Sequence, residues 1–157
     1  MTDLMIYETS NGGDLYLQNQ DLASSELLLQ QAYISLFGGN VEASTRGDEI
    51  ASELRKDWWG NSLIFKEQPE KQFNSQTERT LNNAALTSAG RILIQRAVEN
   101  DLKHLSSIAK ITVEVQIVNS SRVNIYIHFA KLNNQATKTL QFLWDNIKNE
   151  LINFKTI

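Results

Sequence analysis

The chain reads as an α+β fold: a small antiparallel sheet packed against two main helices, with a short N-terminal hairpin and a C-terminal helix. Three observations predict it. From Ile111 to Phe129, apolar residues recur at every second position on both sides of Asn119-Ser120-Ser121-Arg122, the pattern of a β-hairpin with one buried face. Leu28, Leu29, Ala32, Tyr33, Leu36 and Phe37 fall at three- and four-residue spacings ahead of Gly38-Gly39-Asn40, the pattern of an amphipathic helix closed by glycine. Ser75-Gln76-Thr77-Glu78 has the spacing of a capping box and opens a second helix.

Taken in order, Leu4 to Tyr7 and Asp14 to Gln18 are short extended candidates around Asn11-Gly12-Gly13, where glycine supplies the backbone freedom of a tight turn. Ser24 or Ser25 then caps the first helix. Ile50 and Leu54 allow a short helix within 48–55. In the next stretch, Asp57-Trp58-Trp59-Gly60-Asn61-Ser62-Leu63, two adjacent indoles cannot share one side of the chain. Two readings stand: the pair anchors a loop onto the core, or one of them is a protein-contact anchor. Lys66 to Gln76, with the sole proline at Pro69, is a loop or linker.

The second helix is predicted as one long element through Asn100. Leu81, Ala84, Ala85, Ala89, Ile92, Leu93, Ala97 and Val98 form a broad apolar face, and Gly90 marks close packing or a slight kink. Leu102, Leu105 and Ile108 lead into the hairpin. There Ile111, Val113, Val115 and Ile117 share one face with Val123, Ile125, Ile127 and Phe129, and Thr112, Glu114, Gln116, Asn124, Tyr126 and His128 share the other. Lys131 to Gln135 is a turn. Residues 138–143 fit a strand through Leu140, Phe142 and Trp144 and also a helix through Leu140, Trp144, Ile147 and Leu151; the favoured reading is a third strand to about Leu143, then a helix from Asp145 to Asn153.

At 157 residues the chain is expected to be one domain. With no cysteine, it has no disulfide, thiol nucleophile or thiolate metal site. A net charge of −3 with both signs intermixed argues against nucleic acid as a partner. No apolar run approaches the ~20 residues that cross a bilayer, and the start lacks a basic region before an apolar core, so a soluble, unexported chain is expected. The glycine pairs lack a phosphate-loop context, and no Gly-x-Ser-x-Gly elbow is present. His104 and His128 stand outside any metal-ligand spacing. Acid pairs such as Asp48-Glu49 and Glu99 with Asp101 lack the marks of a sugar cleft. The expectation is no enzyme, cofactor, metal or small-molecule substrate.

Read together, these stretches resemble the Mu-type phage baseplate family, related to the sheath-initiator wedge proteins of contractile tails. The resemblance is carried by Gly13-Asp14-Leu15-Tyr16-Leu17, Gln20-Asp21-Leu22-Ala23, the helix end Ile34-Ser35-Leu36-Phe37 and Asp57-Trp58-Trp59-Gly60-Asn61-Ser62-Leu63. It continues in Val98-Glu99-Asn100-Asp101, the hairpin and Phe142-Leu143-Trp144, and so spans nearly the whole chain. Where the sheath-initiator group has a Glu-Pro-Arg motif, this chain has Thr45-Arg46-Gly47-Asp48, and contacts of that motif do not carry over. The resemblance implies a single baseplate wedge-like domain over residues 1–157, made in the host bacterial cytoplasm and located in the virion tail baseplate. Implied partners are other wedge and hub proteins and the tail sheath, contacted through Trp58, Trp59, Gly60, Tyr126, His128 and Trp144. An edge of the C-terminal sheet would recruit sheath. Alternatives are a regulatory adaptor of the same fold or, less favoured, a peptidoglycan-cleaving enzyme.

Overall fold

The computed structural model describes residues 2–9, 12–15, 17–39, 59–68, 71–131 and 137–157. The short helix expected within 48–55, Trp58, Pro69 and positions 132–135 of the expected turn lie outside the described residues. The chain divides into two compact units, Met1–Ile34 and Ser35–Ile157, with the division inside the first helix.

The first unit holds three short antiparallel ladders. Strands β2 (Ile6–Thr9) and β3 (Gly12–Leu15) form the expected hairpin, with Ile6 opposite Leu15 and Thr9 opposite Gly12. Gly12 and Gly13 are strand residues in it. β4 (Leu17–Gln18) and β5 (Asp21–Leu22) make a second hairpin. Its two turn residues, Asn19 and Gln20, have φ of 54° and 66°, the left-handed pair that matches the twist of a two-residue hairpin. β1 (Thr2–Leu4) pairs with β6 (Ser24–Glu26), and Met5 N–H extends the ladder to Ala23 O at 2.8 Å. Ser24 and Ser25 therefore sit in a strand opposite Leu4 and Asp3, where their backbone is already committed to the ladder, and α1 (Leu27–Phe37) follows directly. Gly39, at φ 104°, turns the chain after α1 as expected of a glycine past a helix end.

In the second unit, α2 (Trp59–Ile64) replaces the loop expected at the tryptophan motif. The long helix expected from residue 76 to 100 is two helices, α3 (Gln76–Asn83) and α4 (Ser88–Asp101). Ala84 turns extended, at φ −79° and ψ 129°, and Thr87 caps α4 by accepting from Gly90 N–H at 3.2 Å. Gly90 lies against the backbone of Ala85: a Cβ there would stand 1.8 Å from Ala85 O. The close approach predicted for this glycine is real, and it is to the connection that breaks the helix. The break resets the helical phase. Leu81, Ile94, Ala97 and Val98 are buried, whereas Ala85, Ala89, Ile92 and Leu93, counted on one continuous apolar face, are exposed.

A 3₁₀ turn (Lys103–Ser107) leads into a four-stranded antiparallel meander of β7 (Ala109–Ile117), β8 (Arg122–Lys131), β9 (Lys138–Asp145) and β10 (Glu150–Thr156), in spatial order β10-β9-β8-β7. The central hairpin places its odd-numbered residues on one face as expected, and its register sets Ile111 opposite Phe129 and Ile117 opposite Val123. On β9, Leu140, Phe142 and Trp144 face Ile127, Ile125 and Val123 across the ladder and are buried, so the strand reading of 138–143 holds. Each such side chain contributes roughly 1.5–3 kcal/mol by leaving water. α4 runs against β7, and Phe37 at the end of α1 meets Phe142 (ring centroids 5.6 Å) and Trp144 (6.2 Å).

The expected C-terminal helix is a strand, β10. Its pairs with β9 are Leu151 with Trp144 and Phe154 with Phe142, and the register shifts between Leu151 and Asn153. With that bulge at Ile152, Leu151 and Phe154, three apart in sequence, stand opposite positions two apart on β9, and a spacing of three is what sequence periodicity assigns to a helix. Asp145 does accept from backbone N–H groups as a helix cap would, from Ile147 at 3.0 Å and Lys148 at 3.2 Å. It closes the β9–β10 turn, completed by Asn149 at φ 53°.

Candidate functional site

The residues expected to touch partners occupy three separate places. Trp58 lies outside the described residues, and Trp59 and Gly60 open α2. Tyr126 and His128 lie on β8, on the sheet face opposite the core. Trp144 is on the core face, 2% exposed, and stacked on Phe37 with their planes 16° apart. Trp144 is thus a packing residue of this chain, and its removal from the contact set follows from strand parity: even-numbered β9 residues face inward.

Around α2 the arrangement is built by Asn61, which is fully buried. Its Nδ2 donates to Phe73 O at 2.9 Å and its Oδ1 accepts from Phe73 N–H at 2.8 Å, so one amide binds both backbone groups of a residue twelve positions away. Gln72 Nε2 adds a bond to Phe65 O at 3.1 Å. The side chains that follow on α2, Leu63 and Ile64, are 74% and 57% exposed. A short helix is thereby fixed to its own return loop while it presents two large aliphatic groups to water. Sequence reading attended to the tryptophans of this motif and missed the asparagine, whose isolated side chain carries no periodic signal.

A second arrangement joins the α3 start to the α4 end. The Asp101 carboxylate accepts from Gln76 N–H (3.1 Å), Thr77 N–H (2.8 Å) and Thr77 Oγ1 (2.6 Å), so it caps the neighbouring helix. Ser75 Oγ donates to Leu36 O and accepts from Glu78 N–H at 3.3 Å, and Ser75 N–H donates to Gly39 O at 2.6 Å. The predicted cap serine is real and also ties down the end of α1. Burial pushes the Asp101 carboxyl above the ordinary 3.8, and the bonds from Thr77, Gln76 and Ser75 offset part of that rise. His104 Nδ1 lies 3.0 Å from Asp101 O and its Nε2 lies 3.4 Å from Ser35 Oγ. This serine–histidine pair does not form a nucleophilic site: Ser35 is 4% exposed on a helix, and the histidine is oriented by a neutral carbonyl.

The open sheet face carries a hydrogen-bonded row. Gln141 Nε2 donates to Asn124 Oδ1 at 3.1 Å and Tyr126 Oη at 3.3 Å, and His128 Nδ1 lies 2.8 Å from Thr139 Oγ1. Tyr126 and His128 are half-buried there, held by cross-strand partners. Beside them is a shallow depression of about 240 Å³ lined by Val118, Arg122, Asn124, Gln141, Leu143, Asn153 and Lys155. At its rim Arg122 Nε reaches Asp145 Oδ2 at 3.5 Å. The Lys148 N–H, with Ile147 N–H and Arg122 behind it, holds the Asp145 carboxyl below the ordinary 3.8. A shallow groove of about 500 Å³ follows the β7 edge under α4, with Leu102, Lys103, Ala109, Lys110 and Val113 among its lining.

Among the described residues no group of three or more histidines, cysteines or acids is placed to hold a metal ion, and no helix is long and apolar enough to cross a membrane. No protein-family model, curated protein or solved structure matches this chain.

Proposed function

We propose that this chain is a structural part of a contractile-tail baseplate, of a phage or a prophage-derived particle, which assembles with a larger wedge protein and offers the sheath a starting surface. It acts by shape and makes or breaks no bond. The observation that carries the reading is the short helix of the tryptophan motif. Trp59 and Gly60 open it, Asn61 locks it to Phe73, and Leu63 and Ile64 stand exposed beside them. Exposed aliphatic groups on a rigid base are the makings of a protein contact. The resemblance of the same motif to Mu-type baseplate proteins supplies the class of partner. The four-stranded sheet ends in β7 and β10, and an outer strand offers backbone donors and acceptors to a neighbour's strand, which suits the sheath-starting role.

The test is co-expression with a candidate baseplate wedge protein from the same genome. Leu63→Asp and Ile64→Asp are expected to abolish co-purification while circular dichroism and thermal melting stay those of the parent. Complexes that survive both substitutions, or turnover of peptidoglycan by the purified chain, would overturn the reading.

A further inference from the structure

The depression on the open sheet face is left unused by the contact at α2. Its floor is Leu143, half-buried although it lies on the polar face, and one wall is Val118, 52% exposed. Asn124, Gln141 and Asn153 supply amides, and Arg122 and Lys155 stand at the rim. Arg122 pairs with Asp145 through Nε, yet its side chain is 48% exposed, and a guanidinium has five N–H donors, so it retains donors for a second acceptor. Lys155 has no anionic partner among the described residues and is exposed. Asp145, the acid paired with Arg122, is also occupied by Ile147 N–H and Lys148 N–H. In a chain of net charge −3, this is a place where cations stand over an apolar floor. Its volume is below the ~300 Å³ at which small-molecule pockets begin, but it admits a side chain or two.

We propose that this depression is a second protein-contact site, taking an acidic side chain and the apolar side chain two positions along, on the same face of an extended segment of a partner. The carboxylate bridges Arg122 and Lys155, and the apolar side chain lies on Leu143 against Val118. The proposal rests on the reading of the chain as an assembly part and adds the chemistry of one partner.

The experiment titrates the ¹⁵N-labelled chain with the blocked peptide acetyl-Val-Ser-Glu-Ser-Val-amide, whose glutamate and valines share one face when extended, with the same peptide bearing lysine for glutamate, and with glutarate. The glutamate peptide is expected to shift the amide signals of Asn124, Gln141, Leu143 and Asn153. The lysine peptide and glutarate are expected to leave them in place. Lys155→Glu, an exposed change that leaves the rest of the spectrum intact, is expected to weaken the glutamate peptide by roughly five-fold or more, and Lys155→Arg to restore it. Equal shifts from glutarate would reduce the site to a general anion site and overturn the proposal. So would undiminished binding by Lys155→Glu, or shifts confined to Lys110–Gln116, which mark strand addition at β7. No wedge protein is present in this titration, so its failure and the failure of co-purification are separate results.

Discussion

At the scale of single residues, chemistry is decided by what surrounds each polar atom. Trp144 is buried, and its Nε1 has no hydrogen-bond acceptor among the described residues, an arrangement that costs about 1–3 kcal/mol. Trp144→Phe, which removes that orphan and keeps an aromatic ring against Phe37, is therefore expected to cost under about 1.5 kcal/mol, and Trp144→Ala about 3–5 kcal/mol. Urea unfolding measures both, and equal losses would contradict the orphan donor. Asp101 and Asp145 predict opposite pH responses. The raised pKa of Asp101 means that the folded state binds its proton more tightly than the unfolded state. Its penalty is therefore fully present above the folded value and disappears as pH falls toward 3.8. The stability of the parent relative to Asp101→Asn should rise over that descent and level off below it. For Asp145 the pKa is lowered, so its contribution is complete above 3.8 and is lost as pH falls below that value through the folded pKa. The parent's advantage over Asp145→Asn should shrink only there. Chemical denaturation of the three chains across pH 2.5–7 separates the two, and parallel curves would contradict both assignments.

At the scale of elements, local preference and tertiary contact disagree at two places, and in each the contact decides. By propensity alone, glycine to alanine in a helix stabilises by about 1 kcal/mol. Gly90→Ala is expected to destabilise instead, by about 1–3 kcal/mol, because the added Cβ meets the Ala85 carbonyl oxygen and forces the α3–α4 connection to move. A higher urea midpoint for this variant would refute the close approach. The second place is β10, whose bulge at Ile152 gives a strand a helix-like spacing of apolar residues. The Asn61 clamp belongs to this scale as well. Asn61→Ala leaves both backbone groups of Phe73 without their partners and should cost about 1–3 kcal/mol while loosening the 65–73 loop to amide exchange. Unchanged exchange at Phe73 would count against it.

At the scale of the molecule, the described strands of the first unit pair with one another, and the second unit contains the meander, α3 and α4. A chain that begins at Leu27 is therefore expected to retain a cooperative thermal transition and the strand signature of β7–β10. Loss of the transition would show that the sheet depends on the N-terminal ladders. The open face and the tryptophan-motif helix are distinct surfaces, so substitutions at Lys155 and Leu63 should affect different partners and combine additively when assembly is measured. The α+β class was readable because an alternating hairpin with one apolar face requires a helical cover. Of the candidate surfaces, the sequence pointed to the stretch that opens α2 at Trp59 and Gly60 and to the sheet face that carries Tyr126 and His128, whereas Asn61, Leu143 and Lys155 acquire meaning only from Phe73, Val118 and Arg122, which are distant in sequence or on other strands.

Sequence alone determined the hairpin from Ile111 to Phe129 and the face that its odd-numbered residues share, the end of α1 at its glycines and the Ser75 cap, because each is written as an alternation or as a short run of capping residues. Tertiary structure alone decided that α3 and α4 are separate, that residues 150–156 extend the sheet and that Trp144 points inward. Those outcomes depend on a carbonyl beneath a glycine, a bulge against a neighbouring strand and an aromatic ring from another helix. None of these has a period for a linear chain to display.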